Sequence, residues 1–237
     1  METCLVRFLM TLERGRQKSA EGSAWRPQLT RRVAVVTLAL IFACAALVPS
    51  IRTSVLSSIG GFLILNDPIG PADVLVMTPE SNLSGGLEIA DLYHEGLAKR
   101  VLILEAAPTS VDSELDRRGV HLPDLTLDTL VQLGVPRAVL TKADAGEGGT
   151  TENTLALATW ARQHQVQRAI VVVSPTHGRR YRRALRRVWP SELSTPIIRT
   201  SRYDPFRASD WWLSRRTLRE GLVEFEKLGL DYLAHPL

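Results

Sequence analysis

Ala169-Ile170-Val171-Val172-Val173 runs directly into Ser174-Pro175-Thr176-His177-Gly178-Arg179-Arg180. Five apolar residues in succession, four of them β-branched, read as a short strand buried on both faces. Pro175 and Gly178 punctuate the loop that follows. Beyond it, Tyr181, Ala184, Leu185 and Val188 recur at i, i+3, i+4 and i+7, the spacing of one helix face. Arg182, Arg183, Arg186 and Arg187 fall on the other face, which reads as solvated, with contact to anionic lipid head groups as the sharper alternative. Strand, polar loop and amphipathic helix together are the repeating step of a parallel sheet.

The same step recurs on both sides. Asp73-Val74-Leu75-Val76-Met77 predicts a strand, Leu87 to Gly96 a helix, and Val101-Leu102-Ile103-Leu104 a second strand. Leu122 to Leu133 predicts a helix stopped by Gly134-Val135-Pro136, and Ala138-Val139-Leu140 a short strand. Thr151 to His164 and Leu213 to Tyr232 predict helices, and Pro196-Ile197-Ile198 begins a last strand. The fold class is therefore α/β, a Rossmann-like three-layer parallel sheet over residues 72–237. Such sheets bind ligands outside the carboxyl ends of their strands, at a switch point.

Upstream the pattern changes. Val33 to Val48 is a 16-residue run without charge. As a helix it spans about 24 Å, short of the ~30 Å hydrocarbon core. Pro49 to Ile51 extend it, and Arg31, Arg32 and Arg52 can snorkel at its ends. Seven cations precede the run (Arg7, Arg14, Arg16, Lys18, Arg26, Arg31 and Arg32), and only Arg52 follows before Asp67. That asymmetry keeps the N-terminus inside and exports the rest. The expected organisation is a basic cytoplasmic tail (1–32), a transmembrane signal anchor (33–51), a juxtamembrane linker (52–71) and the α/β domain (72–237). Within the linker, Val55 to Leu65 is apolar enough to lie on the membrane or to pack on the domain. Cleavage at Ala43-Cys44-Ala45 is the rival outcome. A reversed anchor, holding a cytoplasmic hydrolase or methyltransferase, is disfavoured by the arginine count.

The chain has 237 residues and a net charge of +4, which suits one domain plus an anchor. Cys4 and Cys44 both precede the α/β domain, so no bridge forms within it, and no spacing suits a metal. Nucleic acid is excluded as a partner, because no aromatic platform interleaves the arginines.

Two segments carry candidate chemistry. Gly148-Gly149-Thr150-Thr151-Glu152-Asn153-Thr154 runs from a glycine pair into a helix start, whose N–H groups suit an anion; ordinary capping by Thr150 or Thr151 is the plainer reading. Ser174 to Arg180 follows the best strand. There His177 can serve as acid, base or nucleophile and Arg180 as a bidentate clamp on phosphate or carboxylate. Thr150, Glu152 and Asn153 would line the opposite wall.

In order and spacing, Thr150-x-Glu152-Asn153, then a strand, then Ser174-x-x-His177-x-x-Arg180, resembles the SanA/ElyC/YdcF-like family of bacterial envelope domains of unknown function. The resemblance extends to Ala72-Asp73-Val74, Ala90-x-Leu92-Tyr93-x-x-Gly96, Leu133-Gly134-Val135-Pro136, and a terminal helix with Glu224 and Tyr232. It implies a Rossmann-like fold and a role at the bacterial cytoplasmic membrane in peptidoglycan or lipid-linked precursor homeostasis. It makes His177, Glu152 and Asn153 the catalytic candidates and Thr150, Ser174, Arg180, Asp73 and Glu224 the ligand-binding ones. The implied activity is that of a hydrolase or transferase on a phosphorylated precursor, with a non-catalytic factor acting through envelope proteins as the alternative. The expected partners are the membrane, an anionic small-molecule or lipid-linked ligand, and envelope proteins. No cofactor is expected: one branch is linked to S-adenosylmethionine, to which an exported domain has little access. The chain departs from the family at Met77-Thr78-Pro79-Glu80, where a glycine-rich turn is usual. It departs again at Gly85-Gly86, where an arginine is usual, and at Glu105-Ala106-Ala107-Pro108 in place of a second glycine pair. Asp144 is the nearest aspartate before the Thr-x-Glu-Asn motif.

Overall fold

A computed structural model describes residues 31–41, 43, 48–146 and 149–236. The chain divides into two units, the first ending at Val55 and the second running from Leu56 to Leu237. In the first, residues 31–41 are helical and exposed. Residues 42 and 44–47 of the expected anchor, with Cys44, lie outside the described residues, as do residues 1–30 of the tail, with Cys4, and Gly148. Among the described residues no helix is long and apolar enough to cross a membrane.

The second unit is a five-stranded, wholly parallel sheet: β1 (Val74–Met77), β2 (Val101–Glu105), β3 (Leu140–Asp144), β4 (Ala169–Val173) and β5 (Ile197–Thr200). The order is β3-β2-β1-β4-β5, a Rossmann-like arrangement. The chain winds outward from β1 to β3, then returns to place β4 on the other side of β1. The switch point therefore lies between β1 and β4, where Met77 is level with Val172.

Both faces of the sheet are covered, which is why its strands lack alternation. Val74 and Val76 of β1 and Val171 and Val173 of β4 face one layer, formed by α5 (Thr150–Gln163) and α6 (Gly178–Val188). Leu75, Met77, Ile170 and Val172 face the other, formed by α2 (Asn82–His94) and α4 (Leu125–Gln132). A further helix, α3 (Ser110–Arg117), has no buried residue and is fixed by a capping box between Thr109 and Asp112.

The segment read as a linker is largely helix. α1 (Pro49–Leu63) runs across the expected boundary at residue 52. Its end is built into the second unit, because Leu63 is fully buried with Phe206, Trp211 and Leu228. Trp211 donates its indole N–H to the Leu56 carbonyl at 2.8 Å. Any Cβ at Gly60 would lie 2.5 Å from that indole, and one at Gly221 2.8 Å from its far edge. Two glycines thus let one tryptophan lie between α1 and the closing helix, α7 (Arg215–Ala234).

The arginine face of α6 is a correction to the solvated reading. Arg183 is buried, bonded to Asp231 at 2.7 Å and stacked 3.6 Å over the Tyr232 ring. Arg187 also binds Asp231, and Arg182 binds Asp67. α7 packs over that face and brings its own carboxylate, which a local helix pattern cannot show. Only Arg186 of the four is exposed without a partner among the described residues.

Candidate functional site

The loops after β1 and β4 meet at the switch point. β4 delivers Ser174 and Thr176, both nearly buried, and His177, the residue that precedes α6. A Cβ at Gly178 would lie 3.0 Å from the Leu65 Cβ, so only glycine lets α6 start beneath the incoming chain. β1 delivers a short 3-10 turn, Pro79–Ser81. Thr78 holds that turn to β4 through its backbone N–H and its hydroxyl, both donating to the Val172 carbonyl.

His177 Nε2 lies 3.1 Å from Glu224 Oε2. An ionised carboxylate only accepts, so Nε2 carries the hydrogen. Nδ1 is buried and has no partner. Arg180 grips the same carboxylate with both prongs, Nε to Oε1 at 2.6 Å and a terminal nitrogen to Oε2 at 3.1 Å. Its other terminal nitrogen donates to the Thr150 hydroxyl. Glu224 is 2% exposed. Burial pushes its carboxyl upward, yet the bonds from His177 and then Arg180 outweigh burial and hold it below the usual range.

This network brings together Thr150, His177, Arg180 and Glu224, which the sequence reading proposed. It also corrects one role: the Arg180 fork is spent on Glu224 and Thr150 and is not free to clamp a ligand. Thr150 opens α5 by taking Arg180, not by capping; its cap position is Gly149, at φ +83° with no side-chain bond. Asn153 does reach the site, but by donating to Glu80 Oε1 at 2.9 Å. Ser174 lines its wall, 3.4 Å from the Thr176 hydroxyl.

Two other residues are placed elsewhere. Asp73 stands at the amino end of β1 and accepts the N–H groups of Gln167 and Arg168 at 2.7 and 2.9 Å, so it shapes the turn into β4 at the opposite end of the sheet. Glu152 is exposed, packed beside the Gly146 turn. One residue of α5 apart from Asn153, it is rotated by roughly 100° away from Glu80.

Sequence reasoning missed several residues. Glu80 lines the cleft, and its Oε2 is buried without a partner. Tyr181, fully buried beside it, also has an unpartnered hydroxyl; desolvation, aided by the Glu80 charge, drives its pKa well up. Asp204 comes from the 201–214 loop, and burial raises its carboxyl despite the Phe206 N–H that it accepts at 2.9 Å.

Glu80, Ser174, His177, Asp204 and Glu224 line a cleft of about 700 Å3 between the strand ends and α7. Arg215, Arg219 and Lys227 stand on its α7 wall with no ion pair to any described residue, while Arg216 pairs with Glu220 at 2.9 Å. The cleft is thus cationic at its mouth, with a histidine–carboxylate pair deeper in. Among the described residues, no group of three or more histidine, cysteine or acidic side chains is arranged to hold a metal.

No family model and no curated protein matches the chain. Among solved structures, it is similar to the reductase domain of an aureusimine biosynthetic cluster, at 14% identity and a TM-score of 0.25. That match covers 53% of this chain and 40% of the other.

Proposed function

We propose that the cleft between β1, β4 and α7 binds a phosphorylated or otherwise anionic ligand. The observation that carries this is the trio Arg215, Arg219 and Lys227, three cations without carboxylate partners on one wall of a cavity at the switch point. Unpaired cations around a concave site draw anions by long-range attraction and then by charge-assisted hydrogen bonds. His177, held by Glu224, is the acid–base group of a hydrolase or transferase acting there. In our reading the 33–51 run anchors the protein in a bacterial cytoplasmic membrane with this domain outside, where a SanA/ElyC/YdcF-like role in envelope precursor homeostasis belongs.

A second reading, a non-catalytic envelope factor that binds but does not transform, is favoured by one observation. His177 Nε2 is committed to Glu224, the Arg180 fork is committed to Glu224 and Thr150, and Nδ1 is covered.

Calorimetric titration of the full-length protein in detergent with inorganic phosphate tests the anion site. Binding should be lost in Arg219→Glu/Lys227→Glu, both exposed positions; unchanged binding in that variant refutes the reading. A reporter enzyme fused after Leu237 that works only outside the cytoplasm supports the orientation, and one active only inside removes it.

A further inference from the structure

A second cavity, about 690 Å3, opens at the ends of β1 and β2. It adjoins the first, since Asn82, Asp204 and Arg216 line both. Its character is different. Met77, Ile103, Leu104 and Leu125 give it an apolar surface, and its ionic groups are mainly carboxylates, Asp204 and Glu105, the latter paired through Oε1 with Lys142. Its single cation is Arg216, on the shared wall and already paired with Glu220. Thr126, at the start of α4, adds a hydroxyl that bonds to no described residue.

The turn after β1 bears on where an anion can sit in the first cavity, which Glu80 lines. A glycine-rich turn there would present N–H groups to a phosphate. Here Pro79 removes one N–H and Glu80 adds a carboxylate, so a phosphoryl group is repelled from β1 and directed to the α7 wall. The divider itself is strained. Asn82 holds φ +50° and ψ −158°, a region that side chains other than glycine rarely occupy and that concentrates at ligand sites.

We infer that the two cavities form one bipartite site for a sugar phosphate: the phosphoryl group at Arg215, Arg219 and Lys227, and the uncharged, hydroxyl-bearing ring over Met77 and Ile103 with Glu105, Asp204 and Thr126 accepting its hydroxyls. Apolar surface under a ring with a few acceptors at its edge is the usual build of a small-molecule pocket. This inference rests on the anion-binding reading above and names the body to which the anion is attached. The sugar phosphate is either free or the head group of a lipid.

The test is competition and direct titration of the full-length protein in detergent with inorganic phosphate, methyl glucoside and glucose 1-phosphate. Glucose 1-phosphate should bind at least tenfold tighter than either part. Thr126→Trp, which fills the second cavity, should bring it down to the affinity of inorganic phosphate, and Leu83→Trp should do the same from another wall. Equal affinity for phosphate and glucose 1-phosphate, or no loss in either tryptophan variant, overturns the bipartite site while leaving the anion site standing. Failure of inorganic phosphate to bind or to compete overturns the anion reading and this one with it. Vesicles carrying a glycosyl phospholipid, against free glucose 1-phosphate, separate the two sources: displacement of the soluble ligand by the vesicles assigns the site to a lipid head group.

Discussion

Arg180 and Glu224 form a bidentate ion pair, at 2.6 and 3.1 Å, that ties α6 to α7 beneath the cleft. The carboxylate is nearly sealed, and Thr150 takes the remaining prong of the guanidinium, so α5 joins the same knot. Removing one partner of a buried pair strands the other charge. Glu224→Ala should therefore cost about 3–5 kcal/mol in denaturant unfolding. A cost near that of an ordinary surface substitution would show that the pair is not closed in solution.

The same carboxylate sets an acid limit. Glu224 titrates below its ordinary 4.5 because the bonds from His177 and Arg180 overcome burial, and Asp231 below its ordinary 3.8 because Arg187 and Arg183 do the same. As pH falls, the unfolded chain takes up protons first. The stabilisation is whole above about pH 4.5 and is lost as pH drops through the lower folded values. Glu224→Gln should flatten the acid limb of a stability–pH curve; an unaltered slope would contradict the coupling.

Two glycines of α7 should respond in opposite directions. Alanine is the better helix former by roughly 1 kcal/mol. At Gly229 nothing lies within 4 Å of the new methyl, so Gly229→Ala should stabilise by about that much. At Gly221 the methyl would meet the Trp211 ring at 2.8 Å and Phe206 at 3.2 Å. Overpacking there costs about 1–3 kcal/mol, so Gly221→Ala should lower the melting temperature and change the near-ultraviolet signal of Trp211. Equal shifts at both sites would rule out the close approach.

The arginines of α6 also divide. Arg183→Ala removes an ion pair to Asp231 and a cation–π contact with Tyr232 and should lower the melting temperature clearly. Exposed Arg186→Ala should stay within about 0.5 kcal/mol. If both prove neutral, α7 does not cover that face.

A buried carboxylate outside the cleft makes a further test. Glu88, fully buried on α2, accepts from Arg199 of β5 at 2.8 Å and from Arg202 at 3.0 Å. Glu88→Ala should loosen β5, seen as faster amide exchange at Ile198 and Thr200. Unchanged exchange would mean that β5 is held by its neighbours alone.

The inner strands were plain in the sequence because burial on both faces leaves no polar residue in β1 or β4, and in β2 only the terminal Glu105. β4 matches its expected bounds at Ala169 and Val173. β3 was legible only by its approach: Leu140-Thr141-Lys142-Ala143-Asp144 is an edge strand with exposed residues, and its polarity hid it behind Ala138 and Val139. α3 has no buried face to produce a period. At the site, His177, Arg180 and Thr150 were legible from their two segments, and Glu224 only through the resemblance. Their mutual saturation was not, since it depends on α7 crossing 44 residues later. Glu80 and Asp204 were hidden because one sits in a single 3-10 turn and the other in a loop, where no period marks a side chain's direction.

An open parallel sheet has two bare rims, each able to recruit a strand from another molecule. At the β5 rim, Asn66 Oδ1 accepts the Thr200 N–H at 2.8 Å, and Asp67 exchanges bonds with both the N–H and the carbonyl of Ile198. The approach to the fold thus fills the rim it passes. A chain shortened to begin at Ala72, the expected start of the domain, would keep all five strands and lose this seal. It would be prone to grow edge to edge into aggregates, even with its core intact.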